Sequence, residues 1–305
     1  MGTLSSGKDL MLLQLLFEQL LNGLAVGSIY ALITLGLALV YGILRILHIA
    51  HAAVYTVGAY IGLWLYSLTG TLWLAVPGSM AVCAVIGVLI ERFVYFPLLK
   101  FPPYVPLISS IALFLGIEEL CRLIAGAELR TFPSQLQMPF PSLSVGGVAI
   151  SPTLLAVYTV TAIVLLFLWF VTTKTEFGLA MRAASQDMEV ASSLGVNSHL
   201  VISATFVIGS SIAAIAGILV GIYYNQVYPT MGAVPAYKSL ALIVVGGMGS
   251  VPGAVLASLL LGLGETLLIG FANIPMPRDA LAFIAMIVVL LWRPEGLLGR
   301  RQGGK

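Results

Sequence analysis

Runs of about 20 apolar residues follow one another along this chain with only short polar interruptions, and that pattern leaves few folds open. A hydrocarbon core about 30 Å thick is crossed by a helix of about 20 residues. Candidate spans are Leu20–Leu44, His48–Leu68, Leu72–Glu91, Pro106–Gly126, Pro152–Thr172, Leu200–Ile222 and Arg278–Trp292. An eighth apolar segment, Ala236–Gly270, is too long for one span. A membrane barrel would show short alternating segments instead. Charge is as restrictive as length. Only 9% of the 305 residues are Asp, Glu, Lys or Arg, against about 25% in a soluble domain. The expectation is an all-α polytopic membrane protein of about 8 hydrophobic segments, one transmembrane domain over residues 1–305, with lipid as its first partner. A net charge of +2 gives no reason to expect nucleic acid. Cys83 and Cys121 both lie in apolar runs and read as small core hydrophobes.

Arg and Lys are retained on the cytoplasmic side of a membrane and so set orientation. With the N-terminus outside, Arg45, Arg92, Lys100, Lys174, Arg182, Arg293, Arg300, Arg301 and Lys305 share one side. Lys8, Arg122, Arg130 and Arg278 fall on the other. This places the C-terminus in the cytoplasm and makes residues 127–151, rich in Pro, Gly and Ser, an external loop. Lys8 followed by Leu10–Leu16 has the look of a signal peptide. However, Glu18, Gln19 and Asn22 interrupt it and no small-residue cleavage site follows, so it reads as a short tail entering the first span. Gly2–Asp9 (GTLSSGKD) imitates a phosphate-binding loop but ends in Asp9 where a hydroxyl should hold Mg²⁺, and no strand precedes it. No catalytic set or metal cluster is apparent, so the chain is not expected to be an enzyme or to hold a metal.

Within Ala236–Gly270 the run Gly246-Gly247-Met248-Gly249-Ser250-Val251-Pro252-Gly253 breaks the helix. The reading is a helical hairpin with limbs near Ala236–Val245 and Ala254–Gly270, the first limb too short to cross alone. Irregular backbone at membrane depth is tolerated where it is buried in protein or lines a cavity. Gly246, Gly247 and Gly249 are therefore either part of a solute path or a close contact of small residues. Asn22, Ser28 and Tyr30 in the first span, and His51 beyond it, are the other candidate path contacts. His48 and His51 are three residues apart and could share a helical face, as proton carriers or in structural hydrogen bonds.

Ionised residues near membrane depth are suspects for function because desolvation is costly. Glu118 and Arg122 have the spacing of a helical ion pair. Lys238 and Glu265 would meet if the hairpin limbs are antiparallel. Glu91, beside Arg92 at a span end, reads as reaching for the interface.

Between two of the spans lies a polar, amphipathic stretch, Gly178–Asn197: GLAMRAASQDMEVASSLGVN. It reads as a short helix at the membrane surface, started by Ser185 or Asp187 and ended in left-handed geometry at Gly195 and Asn197. Ala191, Ser192 and Ser193 would let a partner approach closely. A transporter without a nucleotide site needs such a surface if ATP is hydrolysed elsewhere. An ion-coupled carrier using His48, His51 and Glu265, or a passive channel, would not need it.

The stretch resembles the coupling loop of ABC importer permeases, in particular the LivH-type permeases for branched-chain amino acids. Glu189, Ala191 and Gly195 match that loop's Glu-Ala-Ala…Gly pattern. The segments LLNGLAVGSIYALITLGLALVYGILRI, Tyr228-Pro229…Gly232 with Lys238, GGMGSVPGAVLASLLLGLGE ending at Glu265, and WRPEGLLGRR are similar to the family's in order and content. His48-Ile49-Ala50-His51-Ala52 departs from the family's Asn-Phe-Ala-His-Gly, keeping only Ala50 and His51, which leaves urea or short amides open as solutes. The resemblance implies no cofactor in this chain, with ATP and Mg²⁺ on two partner ABC ATPase subunits. It also implies a LivM-like second permease, an extracytoplasmic solute-binding protein, and the cytoplasmic (inner) membrane of a bacterium or archaeon. Residues 174–199 would be the coupling loop, with Gly178, Arg182, Asp187, Glu189, Ala191 and Gly195 engaging the ATPase.

Overall fold

The computed structural model describes residues 3–133, 140–145, 148–272 and 277–299. The side chains of 3–10, 145, 272 and 278 are outside that description, as are the Gly2–Asp9 stretch as a ligand-binding loop and the charges of Arg278, Arg300, Arg301 and Lys305.

Helix α1, Thr3–Leu44, is 42 residues long, so the first span does not begin at Leu20. Glu18, Gln19 and Asn22 do not break it, because none removes a backbone donor or forces a turn. α1 is the axis of the molecule and packs along α11 (Val251–Ala272), α9 (Ser198–Tyr223), α6 (Pro152–Lys174) and α10 (Ala233–Gly246). Its crossing with α11 depends on missing side chains. A Cβ at Gly27 would lie 2.8 Å from Leu259 Cα, and one at Gly262 would lie 2.3 Å from Gly27 N. This is the small-residue contact that lets membrane helices approach where lipid supplies no hydrophobic drive.

Chain 45–50 turns back without helix, with Arg45 at φ +52, and α2 starts at His51 and runs to Thr69. His48 is therefore not on α2, contrary to the expected span. Ala50 N is held by Ser110 Oγ at 3.0 Å and the His48 ring is drawn inward, which holds the turn out of helix. α2 and α3 (Leu72–Ile90) pack on each other and on α9. α3 continues through a π turn, Glu91–Tyr95, into the single turn α4, Phe96–Leu98. Glu91 does not reach for the interface. It is 3% exposed and accepts a hydrogen bond from Ser203 Oγ at 2.8 Å, because Glu91 and Tyr95 share the inward side of the turn.

α5, Tyr104–Ala125, has 22 residues, about 33 Å at ~1.5 Å per residue. It packs chiefly on α2 and on a 3-10 turn, Pro229–Gly232, that precedes α10. The expected loop 127–151 carries a short antiparallel pair, β1 (Leu143–Val145) with β2 (Val148–Ile150). The Gly146-Gly147 dipeptide between alternating runs is the sequence signal for it.

Among the described residues six helical stretches are long and apolar enough to cross a membrane: Met11–Leu44, His51–Thr69, Leu72–Leu98, Pro152–Lys174, Ser198–Tyr223 and Val251–Phe271. α5 and the 15-residue α12, Arg278–Trp292, are outside that set. The hairpin forms from α10 and α11, joined at Gly247–Ser250. The 14-residue first limb is extended backwards by the 3-10 turn at Pro229.

Candidate coupling and translocation sites

The polar stretch is two helices rather than one. α7, Glu176–Gln186, follows α6 almost without a break, and α8, Met188–Ser193, follows α7 after Asp187. Thr175 caps α7, accepting from Gly178 N at 3.1 Å. Asp187 caps α8, accepting from Glu189 N at 2.9 Å and Val190 N at 3.0 Å. Each satisfies amide donors that a helix start leaves free. Ser185 starts no helix; its hydroxyl donates to the Arg182 carbonyl at 2.8 Å. Gly195 ends the segment at φ +92. Asn197 does not end it. Its side chain accepts from Leu200 N at 3.1 Å and starts α9.

This unit is clamped to the spans at two points. A Cβ at Gly178 would lie 2.3 Å from Val171 O and 2.4 Å from Thr172 O, so only glycine lets α7 fold back on the end of α6, and Arg182 donates to the Thr172 carbonyl across the same corner. On the other side Arg45 Nη2 donates to the Ser185 carbonyl at 3.3 Å, joining α7 to the end of α1. Ala191 is 3% exposed and faces the protein, so it does not present a small surface to a partner. The free face is Glu189, Val190, Ser192, Ser193 and Leu194, with Leu194 81% exposed.

A buried ionic cluster ties the hairpin to α1. Lys238 Nζ lies 2.8 and 3.1 Å from the Glu265 oxygens and 3.1 Å from Asp279 Oδ1. It donates to Tyr30 Oη at 2.7 Å, and Tyr30 donates to Glu265 at 2.8 Å. Tyr237 donates to Asp279 at 2.6 Å and stacks on Phe283. Lys238 and Glu265 are 3% and 2% exposed in their side chains, Asp279 40%. Sequence reasoning found Tyr30, Lys238 and Glu265 but not Asp279 or Tyr237. The available signal was a carboxylate in the first turn of an otherwise apolar helix.

His48 and His51 meet at ring centroids 5.8 Å apart, one in the turn and one opening α2, so they share a pocket rather than a helical face. His48 Nδ1 is 2.7 Å from Tyr95 Oη, and its ring packs on Tyr95 and Phe206. The His51 ring fills the space above Gly36, where a Cβ would lie 2.3 Å from it. Ser28 is buried in α1 and Asn22 is half-buried one and a half turns earlier.

The glycine break is packed tightly. Leu297 N donates to Val245 O at 2.8 Å and Leu298 N to Gly246 O at 3.1 Å, so the C-terminal tail satisfies the last carbonyls of α10. A Cβ at Gly246 would lie 2.4 Å from Gly253 C. Gly247 takes φ +103 and Gly249 φ +85. Tyr41 Oη lies 3.2 Å from Met248 Sδ, which puts the break at the same end of the bundle as the end of α1. Arg122 pairs with Glu119 at 2.7 Å and more loosely with Glu118 at 3.8 Å. Among the described residues no three His, Cys, Asp or Glu side chains cluster as a metal site would require.

Apolar helices around a long axis, a reversing hairpin and a clamped polar unit between two spans define a polytopic helical membrane protein. The family model for the branched-chain amino acid transport system permease component matches residues 19–290, and the chain belongs to that family. The high-affinity branched-chain amino acid transport system permease protein BraD of Pseudomonas aeruginosa is 36% identical over 294 residues, 93% of this chain and 95% of BraD. LivH of Escherichia coli, a permease protein of the same description, is 33% identical over the same shares. LivM of Escherichia coli is 26% identical over 88% of this chain and 68% of its own length. These relatives are transport permease subunits, not enzymes.

Proposed function

We propose that this chain is the LivH-type permease of an ATP-driven importer for branched-chain amino acids, receiving solute from an extracytoplasmic binding protein and releasing it to the cytoplasm. The similarity to LivH and BraD over nearly the whole of each chain supports the solute class. LivM relatives support a second permease subunit beside this one. The observation that carries the ATP-driven reading is the α7–α8 unit. Its outer face, Glu189, Val190, Ser192, Ser193 and Leu194, is free, while its inner face is fixed to α6 and α1. A partner ATPase, which would hold ATP and Mg²⁺, could move two spans by moving this one unit.

In this reading the α7–α8 unit and the ends of α1 and α10 face the cytoplasm of a bacterial or archaeal inner membrane, with the N-terminus outside. The basic residues Arg45, Lys174, Arg182 and Arg293 at that end support the orientation. The test is uptake of radiolabelled leucine into cells carrying Glu189→Lys or Gly195→Leu, with membrane insertion checked by blot and subunit assembly by affinity purification in mild detergent. Loss of uptake with normal insertion is expected. Full uptake in both variants overturns the coupling assignment, and purification of a stable chain free of ATPases overturns the ATP-driven reading.

A further inference from the structure

α3 and its extension are longer than a hydrocarbon core is thick. The candidate span Leu72–Leu98 has 27 residues, about 40 Å at ~1.5 Å per residue, against a core of about 30 Å. About 20 residues counted from Leu72 end at Glu91, which leaves the π turn and α4 at the level of the lipid headgroups. Basic residues anchor span ends at that level. Arg92 and Lys100 occupy it here, both exposed. A second span has its end at the same place. α9 begins at Ser198, and the ring of His199 in its first turn lies 4.7 Å from that of Phe96.

Neither cation has an acidic partner. No Asp or Glu occurs in residues 92–117, and Glu91 is buried and bonded to Ser203. Among the described residues no carboxylate lies within salt-bridge distance of Arg92 or Lys100. Lys100 instead rests its ammonium over the Phe101 ring, 5.4 Å from the centroid. An apolar stripe leads away from the cations into the span. Val85, Leu89 and Phe93 follow at intervals of four and are 59%, 48% and 73% exposed, so they share one face. A soluble partner could meet the cations, but not a stripe that runs about 12 Å along the span. Two cations without counter-charge, set at the end of a continuous hydrocarbon face, match the two halves of an acidic phospholipid.

We propose that Arg92, Phe96 and Lys100 form a binding site for the headgroup of an acidic phospholipid, with an acyl chain laid along Val85, Leu89 and Phe93. The guanidinium offers a phosphate paired donors, and the ammonium adds attraction at an anionic surface. Phe96 also meets His199, so a lipid held there lies against the ends of both α3 and α9. The second of these is the helix that follows the α7–α8 unit.

The test is native mass spectrometry of the protein purified in mild detergent with whatever subunits accompany it. The sample is stripped of lipid and titrated with dioleoyl phosphatidylglycerol or dioleoyl phosphatidylcholine. The unsubstituted protein is expected to retain phosphatidylglycerol in preference. Arg92→Gln/Lys100→Gln should weaken retention of that lipid by more than tenfold, at about fivefold per basic residue, and leave phosphatidylcholine unchanged. The charge-keeping variant Arg92→Lys/Lys100→Arg should hold the preference, which separates loss of charge from loss of fold. Arg122→Gln should change neither lipid, because Arg122 is 42% exposed but already paired with Glu119 and Glu118. Equal retention of the two lipids by the unsubstituted protein overturns the proposal, as does a preference that survives Arg92→Gln/Lys100→Gln. Displacement of the lipid by an equal concentration of inorganic phosphate overturns it too, since the acyl chain would then contribute nothing. A double variant that keeps its lipid but loses an accompanying subunit marks the patch as a protein contact and also overturns it.

Discussion

Removing the ammonium of Lys238 is the perturbation with the largest calculable effect. In Lys238→Met, Glu265 keeps only the Tyr30 hydroxyl as a donor at 2.8 Å, with its side chain 2% exposed. Breaking a buried pair from one side costs about 3–5 kcal/mol, because the remaining charge has neither partner nor water. Asp279 is 40% exposed, retains the Tyr237 hydroxyl and contributes little to that cost. The double variant Lys238→Met/Glu265→Gln removes both buried charges and leaves an amide that Tyr30 can still reach. Replacing a buried pair by uncharged groups is often close to neutral, so most of the loss should be recovered. The assay is the unfolding midpoint of purified protein titrated with SDS in mixed micelles, for the wild type, both single variants and the double. Glu265→Gln alone should fall between, since Lys238 keeps Asp279 at 3.1 Å. A double variant as unstable as the sum of its singles would refute the reasoning, because independent effects add and coupled ones do not.

Three further outcomes follow from the geometry. Asp187→Ala removes the acceptor of two amides and should loosen α8 by about 1 kcal/mol, read as faster amide exchange confined to 188–194. Gly178→Val puts a side chain within 2.3 Å of Val171 O; it should abolish uptake and open the α6–α7 corner to added protease, whereas unchanged cleavage would count against the clamp. Gly262→Val drives a side chain into the backbone of α1; overpacking of this kind costs about 1–3 kcal/mol and should lower the SDS midpoint, while Gly264→Val, at a position with open space, should not.

The fold class was legible because membrane spans are written in length and composition, and both are local. The hairpin was legible too. Its break is a run of glycines, and the limbs form at Ala233–Gly246 and Val251–Ala272, close to the expected Ala236–Val245 and Ala254–Gly270. What sequence could not supply was facing. Ala191 and Glu91 both turn inward because of where α7 and the π turn sit, which no periodicity of their own reports. The start of α2 was misplaced for a related reason. His48 is apolar enough in context to continue a span, but Tyr95 and Ser110, 47 and 60 residues further along from His48 and Ala50, hold the turn out of helix. Asp279 was missed because its partner Lys238 is 41 residues before it, across a break.

The two features that set this chain apart from a simple bundle meet at α1. At the end of α1, Arg45 holds the Ser185 carbonyl of α7, and about two and a half turns earlier Gly36 closes on the ring of His51. Further along, Tyr30 enters the Lys238–Glu265 cluster and Gly27 and Gly23 lie against α11. A displacement of the α7–α8 unit therefore acts on a helix that is packed rigidly against the hairpin along most of its length. Interiors packed to this density do not deform gradually; they shift between discrete arrangements. The non-helical turn 45–50 and the 3-10 turn at 229–232 precede α2 and α10 and interrupt the helices there. Motion imposed at the end of α1 that carries the α7–α8 unit would be taken up at such breaks between helices rather than along α1 itself. This division, a stiff axis with helix breaks beside it, is what a permease needs if its energy is delivered from a separate subunit.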